Sequence, residues 1–112
     1  MVQYQEQLDR TFAALSDPTR RGILERLGRG RATISELAEP FGISLTGLKK
    51  HVRVLEDADL VRSEKTGRTR WCSLGPQDLA EVQRWIVGYR LTLDERLDRL
   101  GELLERTQGE KA

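Results

Sequence analysis

The segment ISELAEPFGISLTGLKKHVRVLEDADLVRSEKTGRTRWCSL, Ile34 to Leu74, decides the fold of this 112-residue chain. Thr33-Ile34-Ser35-Glu36 matches a capping box, in which Thr33 and Glu36 satisfy each other's backbone amides at a helix start. The helix it opens must be short, because Pro40 removes a backbone donor and Gly42 offers a left-handed exit; Ile34, Leu37, Ala38 and Phe41 face inward. Ser44 is the next N-cap, after a turn of only a few residues. Leu45, Leu48, Val52 and Leu55 then recur at spacings of three, four and three, a core stripe that leaves Thr46, Lys49, Lys50 and Arg53 on the opposite side. Leu60–Glu64 and Arg70–Leu74 have strand composition and flank Lys65-Thr66-Gly67-Arg68-Thr69, a turn with glycine available for a positive φ. Short helix, turn, second helix and basic hairpin, in that order, predict a winged helix-turn-helix, with the helix-turn-helix at 33–58 and the wing at 60–74.

Outward from this segment lie two further amphipathic stretches. Leu8, Phe12 and Leu15 recur at helical spacing and predict a first helix over 1–16. Asp17-Pro18 restarts the chain, with Asp17 able to accept from free amides of the next turn and Pro18 suited to the first helical position. Ile23, Leu24 and Leu27 form the stripe of that second helix, which Gly28 and Gly30 end. From Pro76 to about Arg106, Leu79, Val82, Ile86, Tyr89, Leu93, Leu97, Leu100 and Leu104 recur every three or four positions. A helix over 76–106 is roughly 45 Å long, more than a domain this size can cover with its own chain. Residues 107–112 read as a flexible tail.

The length suits one domain, 1–112, mostly α with a small β-hairpin and long terminal helices for dimerisation. Charged residues make up 33% and no apolar run reaches the roughly 18 residues of a membrane span, so a cytoplasmic protein with no membrane partner is expected. Met1-Val2-Gln3-Tyr4-Gln5-Glu6 lacks the basic and apolar regions of a signal peptide. The net charge of +1 is uninformative, but its distribution is not. From Ser44 to Cys72 the chain carries Lys49, Lys50, Arg53, Arg62, Lys65, Arg68 and Arg70 against Glu56, Asp57, Asp59 and Glu64.

A helix fits the major groove of B-form DNA when its exposed side offers short polar groups for base edges and cations for phosphates. Ser44, Thr46, Gly47, Lys49, Lys50, His51 and Arg53 are accordingly expected on the recognition helix. Lys65, Arg68, Thr69 and Arg70 are expected on the wing, with Arg68 foremost at its tip, and Thr33 and Ser35 at the DNA backbone where the short helix starts. For His51 the alternative to a phosphate contact is packing at the domain edge. Leu8, Phe12, Leu15, Val82, Ile86, Tyr89, Leu93, Leu97, Leu100 and Leu104 are the expected dimer seam, since burial against a second copy removes that area from water.

The motifs Leu15-Ser16-Asp17-Pro18-Thr19-Arg20-Arg21-Gly22-Ile23-Leu24, Ile34-Ser35-Glu36-Leu37-Ala38 and His51-Val52-Arg53-Val54-Leu55-Glu56-Asp57-Ala58-Asp59-Leu60-Val61 resemble the ArsR family of bacterial winged-helix repressors. The resemblance covers most of the chain from Phe12 to Leu74. It implies a homodimer that binds a near-palindromic operator in double-stranded DNA and blocks transcription, often at its own promoter. Two positions depart from the pattern: many relatives have Ser or Thr where Lys49 stands and Gly where Asp59 stands.

Metal-sensing relatives carry a Cys-x-Cys type motif in the segment matching Glu36-Leu37-Ala38-Glu39-Pro40-Phe41, or His and carboxylate pairs on the last helix. Neither pattern stands here, so the branch without a metal site and no cofactor are expected. Asp94, Asp98 and Glu102 read as a solvated face rather than a cation site. Cys72, the single cysteine, reads as a small core residue in preference to a thiol switch. Trp85 and Tyr89, one turn apart, read as seam packing in preference to an effector pocket, and no small-molecule effector is identified. With one His, one Cys and no phosphate-binding glycine loop, no enzyme is expected. The rival reading is a winged-helix module that binds protein instead of DNA. That would require apolar anchors on the exposed face of the recognition helix.

Overall fold

The computed structural model describes the backbone of residues 2–111 and the side chains of residues 5–108; Met1, within the expected first helix, and Ala112, within the expected tail, lie outside the described residues. The elements run α1 (Val2–Leu15), α2 (Pro18–Leu27), β1 (Ala32–Thr33), α3 (Ile34–Ala38), a 3-10 turn (Glu39–Phe41), α4 (Leu45–Asp57), β2 (Val61–Thr66), β3 (Thr69–Leu74) and α5 (Ala80–Lys111). They fall into two compact units, residues 1–79 and residues 80–112. The first unit is a winged helix-turn-helix: α3 and α4 joined by a short turn, then the β2–β3 wing.

Three polar side chains set the helix starts as the sequence predicts. The Asp17 carboxylate accepts from the Arg20 amide at 3.1 Å, the Thr33 hydroxyl from the Glu36 amide at 3.1 Å, and the Ser44 hydroxyl from the Gly47 amide at 3.0 Å. Each removes one orphan donor from a helix N-terminus, worth about 1 kcal/mol. The Thr33 hydroxyl also donates to the Glu36 carboxylate at 3.1 Å, so the two side chains meet each other directly and Glu36 spends a carboxylate oxygen on the Thr33 hydroxyl. Gly42 leaves the 3-10 turn with φ 62°, the left-handed exit that points the chain into α4.

Ile23, Leu37, Leu48, Val52, Leu55 and Cys72 are the largest fully buried apolar side chains, and they join α2, α3, α4 and β3 into one core. Burial of each large aliphatic contributes roughly 1.5–3 kcal/mol. Leu45 departs from expectation. It is 48% exposed, in the first turn of α4 at the N-terminal end of the stripe.

The sheet has three strands in the order β1-β3-β2, one more than the hairpin that the sequence predicts. Ala32 and Thr33 pair antiparallel with Cys72 and Trp71, and β2 pairs with β3 from Val61↔Leu74 to Thr66↔Thr69. The wing turn is shorter than the expected 65–69 loop: only Gly67 and Arg68 lie between the strands. Gly67 takes φ 64° at the first central position, as type II′ hairpins require.

The α4 helix ends in a Schellman motif. The Leu60 amide donates to the Leu55 carbonyl and the Asp59 amide to the Glu56 carbonyl, both at 2.9 Å, while Leu55 and Leu60 are both buried. Asp59 is the left-handed residue of that motif, φ 59°, a conformation that glycine adopts most readily. The chain returns to the same corner after the wing: Gly75 donates to the Leu60 carbonyl at 2.8 Å and Gln77 to the Asp59 carbonyl at 2.9 Å. A Cβ on Gly75 would come within 2.5 Å of the Asp59 carbonyl oxygen, so only glycine permits this approach.

The last helix does not start at Pro76. Residues 76–79 precede it, and Leu79, expected on its stripe, packs against the core of the first unit with φ 66°. At the other end α5 runs on to Lys111, past the expected end near Arg106; no proline or left-handed glycine stops the helix there. Its 32 residues span about 48 Å.

Replacing Asp59 with Gly relieves a left-handed side chain and is expected to raise unfolding stability by about 1 kcal/mol. Gly75→Ala is expected to lower it by about 1–3 kcal/mol through backbone displacement. Urea midpoints of the two variants, read against the parent chain, check both signs.

Candidate nucleic-acid interface

The exposed arc of α4 follows from its buried stripe. With Leu48, Val52 and Leu55 turned into the core, helical spacing leaves Thr46, Lys49, Lys50 and Arg53 outside, and all four are exposed. Gly47 is half-buried beneath the Ser44 cap, so this pair shapes the start of the helix instead of presenting further side chains.

Lys49 lies on the flank of α4 that faces the wing. There the structure forms a cleft of about 500 Å³ lined by Thr33, Ile34, Ser35, Leu45, Lys49, Lys65, Arg68, Thr69 and Arg70. Residues expected on the recognition helix, on the wing and at the start of α3 thus meet around one concave surface, and no acid is among its lining residues. A second hollow of about 530 Å³ shares Ile34, Lys49 and Arg70 with it and continues past Val52 and Arg53 to Glu56 and Asp57.

Register adds an electrostatic detail. Lys65 and Arg70 are directly opposite each other on β2 and β3, where like charges repel. Arg70 is steadied from the other side: it donates to the Ser63 hydroxyl at 3.0 Å, and Ser63 donates to the Glu56 carboxylate at 2.9 Å. This chain ties the wing to α4, a structural duty for Arg70 beyond the surface role expected of it. Thr33, similarly, spends its hydroxyl on the α3 cap while still lining the cleft.

His51 is not on the exposed arc. It is half-buried on the flank of α4 nearest α2, with Nδ1 3.2 Å from the Arg20 guanidinium and 3.9 Å from the Asp17 carboxylate. It packs at the domain edge, one of the two readings that the sequence leaves open, because position 51 falls between the buried and the exposed arcs of the helix. The Asp17 carboxyl is held below the usual carboxylate range, chiefly by the Arg20 amide and further by the His51 and Arg20 charges, with desolvation opposing.

Two contributions were not legible in the sequence. Arg31 lies 4.2 Å over the Trp71 ring, placing another cation beside the sheet. That contact depends on the two-residue strand β1, too short to leave a pattern. Arg20, in the first turn of α2, reaches the flank of α4 through a contact 31 residues away, for which no local signal exists.

Cys72 is fully buried, and burial pushes its thiol up to about 11, which keeps it protonated at neutral pH and makes it a core residue. Among the described residues no group of three or more His, Cys, Asp or Glu side chains is placed to hold a metal, and no helix is long and apolar enough to cross a membrane. Of the apolar side chains on α5, Val82 is buried, whereas Ile86, Tyr89, Leu93, Leu97, Leu100 and Leu104 are each at least 40% exposed. Trp85 and Tyr89 stack face to face with centroids 5.5 Å apart. On α1, Leu8 and Phe12 are half-buried, and Leu15 packs against the core of its own chain, which limits what it can offer a partner.

Two measurements follow from these titrations. Cys72 is expected to resist a thiol reagent at pH 8 in the native chain and to react in urea; rapid native labelling would contradict its burial. The Asp17 carboxylate has a depressed folded pKa, so its contribution is present above its unfolded value near 4 and is lost as pH falls below it. An Asp17→Asn variant is expected to show a shallower loss of melting temperature below about pH 4.

Comparison with known proteins agrees with this geometry. A helix-turn-helix domain model matches residues 15–64. The transcriptional repressor SdpR of Bacillus subtilis is 32% identical over 82 residues, covering 73% of this chain and 91% of that protein. The HTH-type transcriptional regulator Rv2034 of Mycobacterium tuberculosis is 35% identical over 98 residues, covering 80% of this chain and 92% of that protein. The crystal structure of an ArsR family transcriptional regulator superposes with a TM-score of 0.74 at 42% identity, covering 80% of this chain and 93% of that one. The chain belongs to the ArsR family of winged helix-turn-helix transcriptional regulators.

Proposed function

We propose that this protein is a sequence-specific DNA-binding repressor, acting in the cytoplasm as a homodimer on a near-palindromic operator, with no metal, cofactor or enzymatic activity. The observation that carries the reading is the acid-free cleft in which Lys49 of α4 meets Lys65, Arg68 and Arg70 of the wing. Four cations converging without a carboxylate repel one another, most directly at the opposed Lys65 and Arg70, and a phosphate backbone relieves that repulsion while releasing its own counterions. Thr46, Lys50 and Arg53 then face the major groove. In this reading Lys65, Arg68 and Thr69 hold the flanking backbone, with Thr33 and Ser35 beside them.

Homodimerisation is supported by the apolar stripe of α5. Ile86, Tyr89, Leu93, Leu97, Leu100 and Leu104 offer apolar area of the kind that obligate homodimers bury, typically about 800 Å² or more per partner, and the half-buried Leu8 and Phe12 of α1 are the further seam residues of this reading. A two-fold axis spaces two recognition helices about 34 Å apart, one turn of DNA. Repression by occlusion follows: a dimer lying across a promoter excludes polymerase. The relatives named repressors support the same direction of regulation.

The protein-docking alternative is not favoured. The exposed face of α4 carries Thr46, Lys49, Lys50 and Arg53, and its exposed large apolar residues are only Leu45 and Val54, without an aromatic anchor.

With about three phosphates neutralised per subunit, log K for a selected duplex is expected to fall with log salt at a slope of roughly −5. A flat response in a fluorescence titration contradicts the reading. Lys50→Ala or Arg53→Ala, which removes one cation from each subunit, is expected to weaken binding and reduce that slope by about 2 while light scattering still reports a dimer. A monomeric mass under conditions of tight palindrome binding would remove the dimer from the reading.

A further inference from the structure

Arg20 is engaged on three sides. Nε donates to the Ala14 carbonyl at 2.8 Å, one terminal nitrogen donates to the Ala13 carbonyl at 3.0 Å, and the other terminal nitrogen lies 3.2 Å from Nδ1 of His51. The two carbonyls belong to the last turn of α1, so the guanidinium plane is clamped before it meets the imidazole. A guanidinium offers donors only and keeps its proton. The Nδ1 atom that faces it must therefore accept, which places the ring proton on Nε2. The Asp17 carboxylate faces the same Nδ1 at 3.9 Å, beyond hydrogen-bond reach, and is occupied by the Arg20 amide.

The other ring nitrogen has a different situation. Among the described residues the contacts of His51 are made through Nδ1, and no buried side-chain nitrogen or oxygen is left without a partner. Nε2 therefore meets solvent, on a ring that is otherwise half-buried, directly after Lys50 and two residues before Arg53 on α4. The ring is fixed on one edge and open on the other.

We propose that Arg20 is a positioning residue for DNA binding: it holds His51 in the Nε2–H tautomer, so that the ring presents one neutral donor to a backbone phosphate. The proposal rests on the DNA-binding reading above. It assigns His51 a role distinct from the lysines and arginines beside it. A neutral donor adds a directed hydrogen bond without displacing a counterion, so it contributes affinity and register but no salt dependence. Arg20 reaches the DNA only through His51.

His51 is the only histidine, so a long-range nitrogen–proton spectrum of the full-length, isotope-labelled chain at pH 8 reports its tautomer directly. The expected result is Nε2–H in the parent chain and a mixture of tautomers in Arg20→Gln. Affinity is read on a duplex selected by the parent chain from a random pool. His51→Asn and Arg20→Gln are each expected to weaken it about ten-fold, the loss of about one hydrogen bond per subunit, with the salt slope unchanged. His51→Gln, whose side-chain amide places an N–H near the Nε2 position, is expected to retain affinity within about three-fold. The double variant Arg20→Gln with His51→Asn is expected to bind no more weakly than His51→Asn alone.

An Nδ1–H tautomer in the parent chain, equal losses in His51→Gln and His51→Asn, or additive losses in the double variant overturns the proposal and leaves the DNA-binding reading standing. Failure of the parent chain to retain any duplex overturns both. Because Arg20 also closes the end of α1, its replacement can lower stability. The two His51 variants read the proposal with Arg20 intact.

Discussion

Burial of Leu48, Val52 and Leu55 along one side of α4 is the constraint on which the functional surface depends. Three large aliphatics within eight residues fix the rotation of the helix, because turning it by one residue would expose about 100° of apolar stripe and bury a lysine. Each of the three contributes on the order of 2 kcal/mol, against roughly half a kilocalorie for a surface ion pair such as Arg26–Glu36 at 3.6 Å. The outward placement of Thr46, Lys50 and Arg53 is thus a by-product of packing. The cations need no attraction of their own to be aimed.

What packing does for the helix, backbone geometry does for the wing. The Schellman turn at Ala58-Asp59-Leu60 sets the direction in which β2 departs, and the return of the chain through Gly75 and Gln77 pins both ends of the hairpin to that corner. The Glu56–Ser63–Arg70 chain adds a side-chain strut from α4 to the middle of the hairpin. Lys49 on one wall and Lys65 with Arg68 on the other are held at a set separation by these links, so the cleft exists before anything enters it. Preorganisation of this sort lowers the ordering cost of binding.

Much of this was legible because its causes are local. Asp17, Thr33 and Ser44 cap the amides two or three residues ahead of them, and the spacing of Leu48, Val52 and Leu55 states a helical face within thirteen residues. The features that escaped depend on distant partners or on an end effect. Strand β1 exists only because Ala32 and Thr33 find Cys72 and Trp71 some forty residues on. Leu45 obeys the stripe but stands at its end, where it lines the open cleft instead of the core. Pro76 suits a helix start, yet Leu79 is drawn into the core, and the helix begins only at Ala80. His51 sits at an angular boundary where a one-dimensional pattern assigns either side, and its partner on α2 lies too far along the chain to leave a local signal.

The order β1-β3-β2 leaves two strands with a free flank. One is only two residues long, and the other, Val61–Thr66, carries Arg62, Glu64 and Lys65 along most of its length. Short or heavily charged borders are poor templates for a stranger's backbone, since a pairing chain would gain few ladder bonds or bring charges into register. The sheet therefore offers little foothold for fibre-like growth at either border.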